Sequence, residues 1–126
     1  LEYDFFFAPV KGTVSKSFNY QTRHYGVDIV TESGAPIKSC LEGTVIYASW
    51  TPDDGELLMV QHNNGFISVY KHCSSLLKKL GDRVQSGDPI GLVGNSGKHT
   101  TRPHLHFELW KSGVPLNPQD FINFNK

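Results

Sequence analysis

Two histidines, His104 and His106, stand two positions apart in the run Pro103-His104-Leu105-His106-Phe107-Glu108. In an extended chain alternate side chains share a face. The two imidazoles then lie side by side, while Leu105, Phe107 and Leu109 point the other way, towards a core. Upstream, His24-Tyr25-Gly26-Val27-Asp28 supplies another imidazole and a carboxylate. Hydrolytic zinc takes three ligands from His, Asp and Glu and leaves a position for water. It brings the pKa of that water towards neutrality and polarises a bound carbonyl. His24, Asp28 and one of the paired histidines make such a set. The second paired histidine would then stand beside the open position, able to hydrogen-bond the water or a developing oxyanion. On a helix, His-x-x-x-Asp would share a face. Gly26 and the β-branched Val27 and Ile29 speak against a helix, so a sharp backbone turn at Gly26 is expected instead.

The elements that must hold these residues read as short strands. Gly43 to Trp50 is rich in Val, Ile and Tyr. Leu57 to His62 and Phe66 to His72 flank Asn63-Asn64-Gly65, a hairpin signal because Asn and Gly tolerate positive φ. Pro89 to Gly94 is a short apolar run after the turn Ser86-Gly87-Asp88, and His104 to Lys111 is followed by the turn Ser112-Gly113. Phe5 to Val14 and Gly26 to Val30 are further strand candidates. Helical signals are few: Ser74 to Leu80, closed by Gly81, reads as about two turns. Asn117-Pro118-Gln119-Asp120 reads as the start of a short C-terminal helix. Many short strands with little helix predict an all-β fold, a compact antiparallel β-sandwich or barrel-like domain. No interior linker or fixed-period repeat divides the chain.

The chain's 126 residues fit a single domain spanning 1–126, large enough to bury a core without disulfide staples. With 12 basic and 12 acidic residues the formal net charge is zero, and no basic stripe marks a nucleic-acid footprint. No apolar stretch approaches the ~18 residues of a transmembrane helix. Cys40 and Cys73 have neither CxxC spacing nor the density of a disulfide scaffold. They are expected to be buried free thiols, with a single disulfide open if their strands are neighbours. The chain opens at Leu1 without a charged segment followed by an apolar one. It is expected to be a mature or excised domain, with any targeting segment, upstream anchor or regulatory domain outside it.

The residues resemble the LytM/lysostaphin-type zinc metallopeptidases, which cleave peptide stems and cross-links in bacterial cell walls. The resemblance covers nearly the whole chain. It runs from Phe7-Ala8-Pro9-Val10-Lys11-Gly12 through His24-Tyr25-Gly26-Val27-Asp28, Gly34-Ala35-Pro36-Ile37, Glu42-Gly43-Thr44-Val45 and His62-Asn63-Asn64-Gly65. It continues through Val69-Tyr70-Lys71-His72, Gly87-Asp88-Pro89-Ile90-Gly91 and Gly94-Asn95-Ser96-Gly97 to Pro103–Glu108. It implies one zinc per chain held by His24, Asp28 and His106, with His104 and His72 as non-ligand active-site histidines. It also implies an antiparallel β fold with the metal in an open groove, peptidoglycan peptides as substrate, and a location in the bacterial cell envelope outside the cytoplasm. The chain departs from the family pattern at Arg102, where many members have Gly, at Cys73, where leucine is common, and in the loop Thr51 to Glu56.

Other residues have plainer readings. His62 is expected to hold its hairpin turn, and His99 to be exposed in the loop Lys98-His99-Thr100-Thr101. Glu108 shares a face with the histidine pair; without a His-Glu-x-x-His helix it reads as structural rather than as a catalytic base. Arg102 reads as a solvated charge, with bidentate contact to a substrate carboxylate as the alternative. Tyr20, Tyr25 and Tyr70 read as packing residues. Two rival functions remain. One is a non-catalytic peptidoglycan-binding or amidase-activating module, which loss of a ligand would mark; none is lost. The other is a biotinyl- or lipoyl-type carrier, suggested by Gly43-Thr44-Val45 and Val84-x-x-Gly87-x-x-Ile90-Gly91. A carrier needs an exposed lysine beside methionine in a tight turn, and Met59, the one methionine, has no adjacent lysine.

Overall fold

The computed structural model describes residues 5–94 and 102–125. Among them, ten strands follow in chain order: β1 (Thr13–Lys16), β2 (Val27–Val30), β3 (Pro36–Lys38), β4 (Gly43–Thr51), β5 (Gly55–Gln61), β6 (Phe66–Leu76), β7 (Arg83–Val84), β8 (Pro89–Val93), β9 (His104–Lys111) and β10 (Val114–Leu116). All pair antiparallel in the order β1-β2-β9-β6-β5-β4-β7, with β10 on β9 and with β8 bridging β6 and β3. The fold is all-β, as expected, and no helix of seven residues or more occurs among the described residues.

Strand β9 lies between β2 and β6, in the middle of this sheet. Its alternation is realised as read: Leu105, Phe107 and Leu109 are fully buried on the core side. They pack with Val27 and Ile29 of β2 and Tyr70 of β6. Each such side chain contributes about 1.5–3 kcal/mol of burial free energy. The turns carry the backbone geometry their residues favour. Asn64 and Gly65 have φ of 62° and 80°, and Ser112 and Gly113 have 50° and 82°, the left-handed values of tight hairpin turns.

Three expectations are corrected. Ser74–Leu76 continue β6 rather than starting a helix, pairing with β8, and the Leu77 N–H donates to the Ile90 carbonyl. A seven-residue helix is marginal alone, and the neighbouring β8 supplies ladder bonds instead. The C-terminal element is a single 3-10 turn, Pro118–Asp120, whose Asn117 cap is as read: its side chain accepts from the Gln119 N–H. The turn does not propagate, because Ile122 and Phe124 are both buried with Asn123 exposed between them. That period of two demands extended chain. In the N-terminal stretch only Thr13 and Val14 enter a strand; Phe6 and Val10 reach the core from irregular backbone.

A buried polar chain ties the core together. The Cys40 N–H donates to Tyr70 OH at 3.1 Å, Tyr70 OH and Ser68 Oγ lie 2.8 Å apart, and Ser68 Oγ is 2.7 Å from His62 Nε2. The His62 Nδ1–H donates to the Glu42 carbonyl at 2.7 Å. His62 therefore pins β5 and β6 to the segment before β4, more than it holds its own turn. Cys40 and Cys73 form no disulfide, and both are buried. Burial pushes the Cys40 thiol up to about 11, against hydrogen bonds from Tyr70 and Ser68. Burial, then the charge of Glu56, pushes Cys73 up to about 12.

Candidate metal centre

The β2–β9 register places Asp28 opposite His106 and Val30 opposite His104. Side chains at opposite positions on one face lie about 5 Å apart at Cβ, so sheet pairing alone brings the carboxylate to the imidazole. His24 enters from the loop before β2. That loop is closed by paired backbone bonds between Asn19 and His24 and by the Asn19 side chain, which accepts from the N–H groups of Gln21 and Thr22. Gly26, between the two, has no positive φ, so the expected sharp turn is not the reason for glycine. The reason is close approach: a Cβ there would overlap the Phe107 carbonyl oxygen and lie 2.8 Å from Glu108 Cγ.

The geometry fits a cation on three ligands. His24 Nε2 is 3.4 Å from Asp28 Oδ2, and His106 Nδ1 is 2.6 Å from Asp28 Oδ1. One ligand atom from each of the three residues lies within 4.8 Å of the others. Each imidazole has its other nitrogen engaged by the protein, as metal-ligating histidines do. The His24 Nδ1–H donates to the Ser17 carbonyl at 2.8 Å, and His106 Nε2 faces Glu108 Oε2 at 2.8 Å. The set of two nitrogens and one carboxylate, with side chains 11–19% exposed, matches a zinc site that keeps one position open.

The same contacts set the charges of the cluster. Burial raises the Asp28 carboxyl, but the hydrogen bond from His106 and the charges of His106, His24 and His104 outweigh it and hold it below the usual value. Burial lowers His106, and the two carboxylates flanking its ring outweigh that and raise it. Burial likewise raises Glu108. The His106 hydrogen bond, the Lys71 and His106 charges and the Trp110 N–H bring it down to about 2.

His72 and His104 lie beside this cluster. Their ring centroids are 5.0 Å apart, and His72 is 6.1 Å from His106. The His104 Nδ1–H donates to the Arg102 carbonyl at 2.7 Å, which leaves Nε2 as its basic nitrogen. His72 does not close its strand, as the sequence suggests; it sits inside β6 with φ of 68°. Up to Lys71, β6 pairs with β9; from Cys73 onward it pairs with β8. The irregular residue between them has its N–H on the Asp54 carbonyl at 2.9 Å, and its own carbonyl accepts from Gly94 at 3.2 Å. Such breaks in pairing re-aim a side chain.

The structure thus brings all five sequence-read residues, His24, Asp28, His72, His104 and His106, to one place. His62 stands apart in the core, and His99 lies outside the described residues. Tyr70 is buried and Tyr25 packs between Tyr20 and Trp110, while Tyr20 is 63% exposed rather than packed away. Arg102 is exposed, as read. Glu108 is the residue the sequence undervalued. Its signal was present: a carboxylate two residues after a histidine on the same strand face shares that histidine's environment.

The sequence pattern of Peptidase family M23, the LytM type, matches residues 22–118. Murein hydrolase activator EnvC of Escherichia coli is 35% identical over 92% of this chain and 28% of its own length. Peptidoglycan DD-endopeptidase ShyA of Vibrio cholerae is 38% identical over 75% of this chain and 22% of its own. Among solved structures, a zinc-containing peptidase from Vibrio cholerae superposes with a TM-score of 0.82 at 31% identity, covering 90% of this chain and 39% of that one. The chain therefore spans about a quarter of the length of those two curated relatives.

Proposed function

The chain belongs to peptidase family M23, and from that premise we propose that it is a zinc-dependent endopeptidase acting on peptide stems or cross-links of bacterial peptidoglycan. The observation that carries this reading is the His24–Asp28–His106 cluster, with the far nitrogen of each imidazole engaged by the protein. Zinc held by these three residues supplies Lewis-acid polarisation of a peptide carbonyl and a water acidic enough to ionise near neutrality.

The chain's own residues do the rest. Asp28 would offset the cation's charge, and its Oδ1 lies 2.6 Å from the His106 nitrogen that would share the cation with it. His104, its Nδ1–H committed to the Arg102 carbonyl, offers Nε2 as the acceptor for the attacking water's proton. That leaves hydrogen bonding of the tetrahedral oxyanion to His72, whose ring is 5.0 Å away. The match to ShyA supports peptidoglycan peptides as the substrate and, with them, a location in the cell envelope outside the cytoplasm.

The test uses isolated cell walls and zinc-loaded protein, with release of new amino termini as the readout. Release by the native chain and none by His106→Ala is expected. Equal release by the chelated protein or by His106→Ala overturns the reading.

A second reading, a wall-binding or amidase-activating module without its own cleavage, is favoured by the match to EnvC. The complete ligand set opposes it. Stoichiometric wall binding by zinc-loaded protein with no cleavage would establish it.

A further inference from the structure

Glu108 is a carboxylate buried to 8% exposure in the middle of the sheet. Burying such a group costs several kcal/mol unless its oxygens are fully engaged. Both are. Oε2 is 2.8 Å from His106 Nε2 and 3.4 Å from Lys71 Nζ, and Oε1 accepts from the Trp110 Nε1–H at 2.8 Å. Lys71 is held in turn by Asp54 at 3.5 Å, in the turn between β4 and β5. Glu108 therefore cannot swing to abstract a proton from a water without giving up these bonds. It also faces the nitrogen of His106 opposite to the one beside Asp28, so it is not a fourth ligand in this arrangement.

We propose that Glu108 is a positioning residue of the metal centre. By accepting from His106 Nε2 it fixes the ring's plane, so that Nδ1, 2.6 Å from Asp28 Oδ1, is the nitrogen that would give up its proton and offer its lone pair to a cation between Asp28 and His24. A carboxylate on the far nitrogen also makes Nδ1 a stronger electron-pair donor. Trp110 and Lys71 keep the carboxylate aimed, and Gly26 provides the space for it: a side chain there would press on Glu108 Cγ and His106 Nε2. A glutamine at this position cannot serve both donors, because its one oxygen can face either His106 or Trp110 and its amide would confront the other N–H.

This inference rests on the three-ligand reading of the site, and the experiment separates the two. Zinc affinity is measured by competition with a chromogenic chelator for the native chain, His106→Ala and Glu108→Gln, with near-UV circular dichroism of each metal-free protein as the check on folding. Loss of zinc in His106→Ala tests the ligand set; retention there overturns the site reading itself. Glu108→Gln, folded, is expected to bind zinc roughly 10–100-fold more weakly. A merely structural role would lower thermal stability but leave the affinity of the folded protein unchanged, so a native affinity overturns the proposal. A measurement on the native chain covers the case in which the variant does not fold. Long-range proton–nitrogen correlation spectra of the zinc-loaded protein are expected to show His106 protonated at Nε2; protonation at Nδ1 overturns the proposal.

Discussion

The histidines of this chain differ in fate because of what occupies their second nitrogen and how much water reaches the first. His24 and His104 each donate Nδ1–H to a backbone carbonyl and stand half-buried at the surface. His106 is held by Glu108 and turned towards Asp28. His62 makes the same kind of carbonyl bond, but its other nitrogen is spent on Ser68 inside the core. Burial first, against the Glu42 carbonyl bond, pulls its pKa down, so it stays neutral and structural. His62→Ala is accordingly expected to cost about 1–3 kcal/mol of stability, through the groups it leaves without a partner, while retaining the native zinc stoichiometry. Urea unfolding and a zinc titration on the same variant check both halves. The two thiols give a pH dependence. Their folded values lie at about 11 and about 12, above the ordinary value of 9.0. Raised thiol pKa values contribute stability that is fully present below about 9 and is lost as pH rises through the folded values. Stability measured by denaturant is expected to decline above pH 9, and native protein at pH 8 is expected to resist thiol alkylation until unfolded.

At the scale of elements, the site is made by one register and one irregularity. The β2–β9 register sets Asp28 against His106, and the break in β6 delivers His72 where that strand changes partner. A non-glycine residue in the left-handed region costs about 1–2 kcal/mol. His72→Gly is therefore expected to be about 1 kcal/mol more stable than His72→Ala, although both lose wall cleavage by roughly 10²–10⁴-fold if His72 acts in proton transfer or oxyanion binding. Equal stability of the two variants would contradict the strain account. Gly26→Ala drives a methyl into β9, and is expected to cost upwards of about 2 kcal/mol and to weaken zinc binding, read by thermal unfolding and chelator competition. Much of this was legible in the sequence. The alternation around Phe107 gave β9 and its two faces, and Asn64-Gly65 gave a turn. What was not legible depends on partners distant in sequence. Ser74–Leu76 carry no strand pattern and become strand because β8 is beside them. Gly26 reads as a turn residue, and only the passage of β9 over it shows that space was the need. Glu108 shows its role only once Lys71 and Trp110 are seen on its oxygens.

For the whole molecule, the five candidate site residues sit on three adjacent strands, β2, β9 and β6, and on the loop entering β2, while Leu105, Phe107 and Leu109 face the buried core on the other side of β9. Such a division lets loops vary around a fixed centre. Because the chain spans about a quarter of its longer curated relatives, its own competence for cleavage is the central claim to test. The most direct measurement is mass spectrometry of defined cross-linked muropeptides after incubation with the zinc-loaded chain, alongside the chelated chain and His106→Ala. Cleavage at a peptide bond by the zinc-loaded chain alone is expected, each product pair gaining the mass of one water. Intact muropeptides after prolonged incubation with fully zinc-loaded, folded protein, or equal cleavage by all three samples, would contradict it.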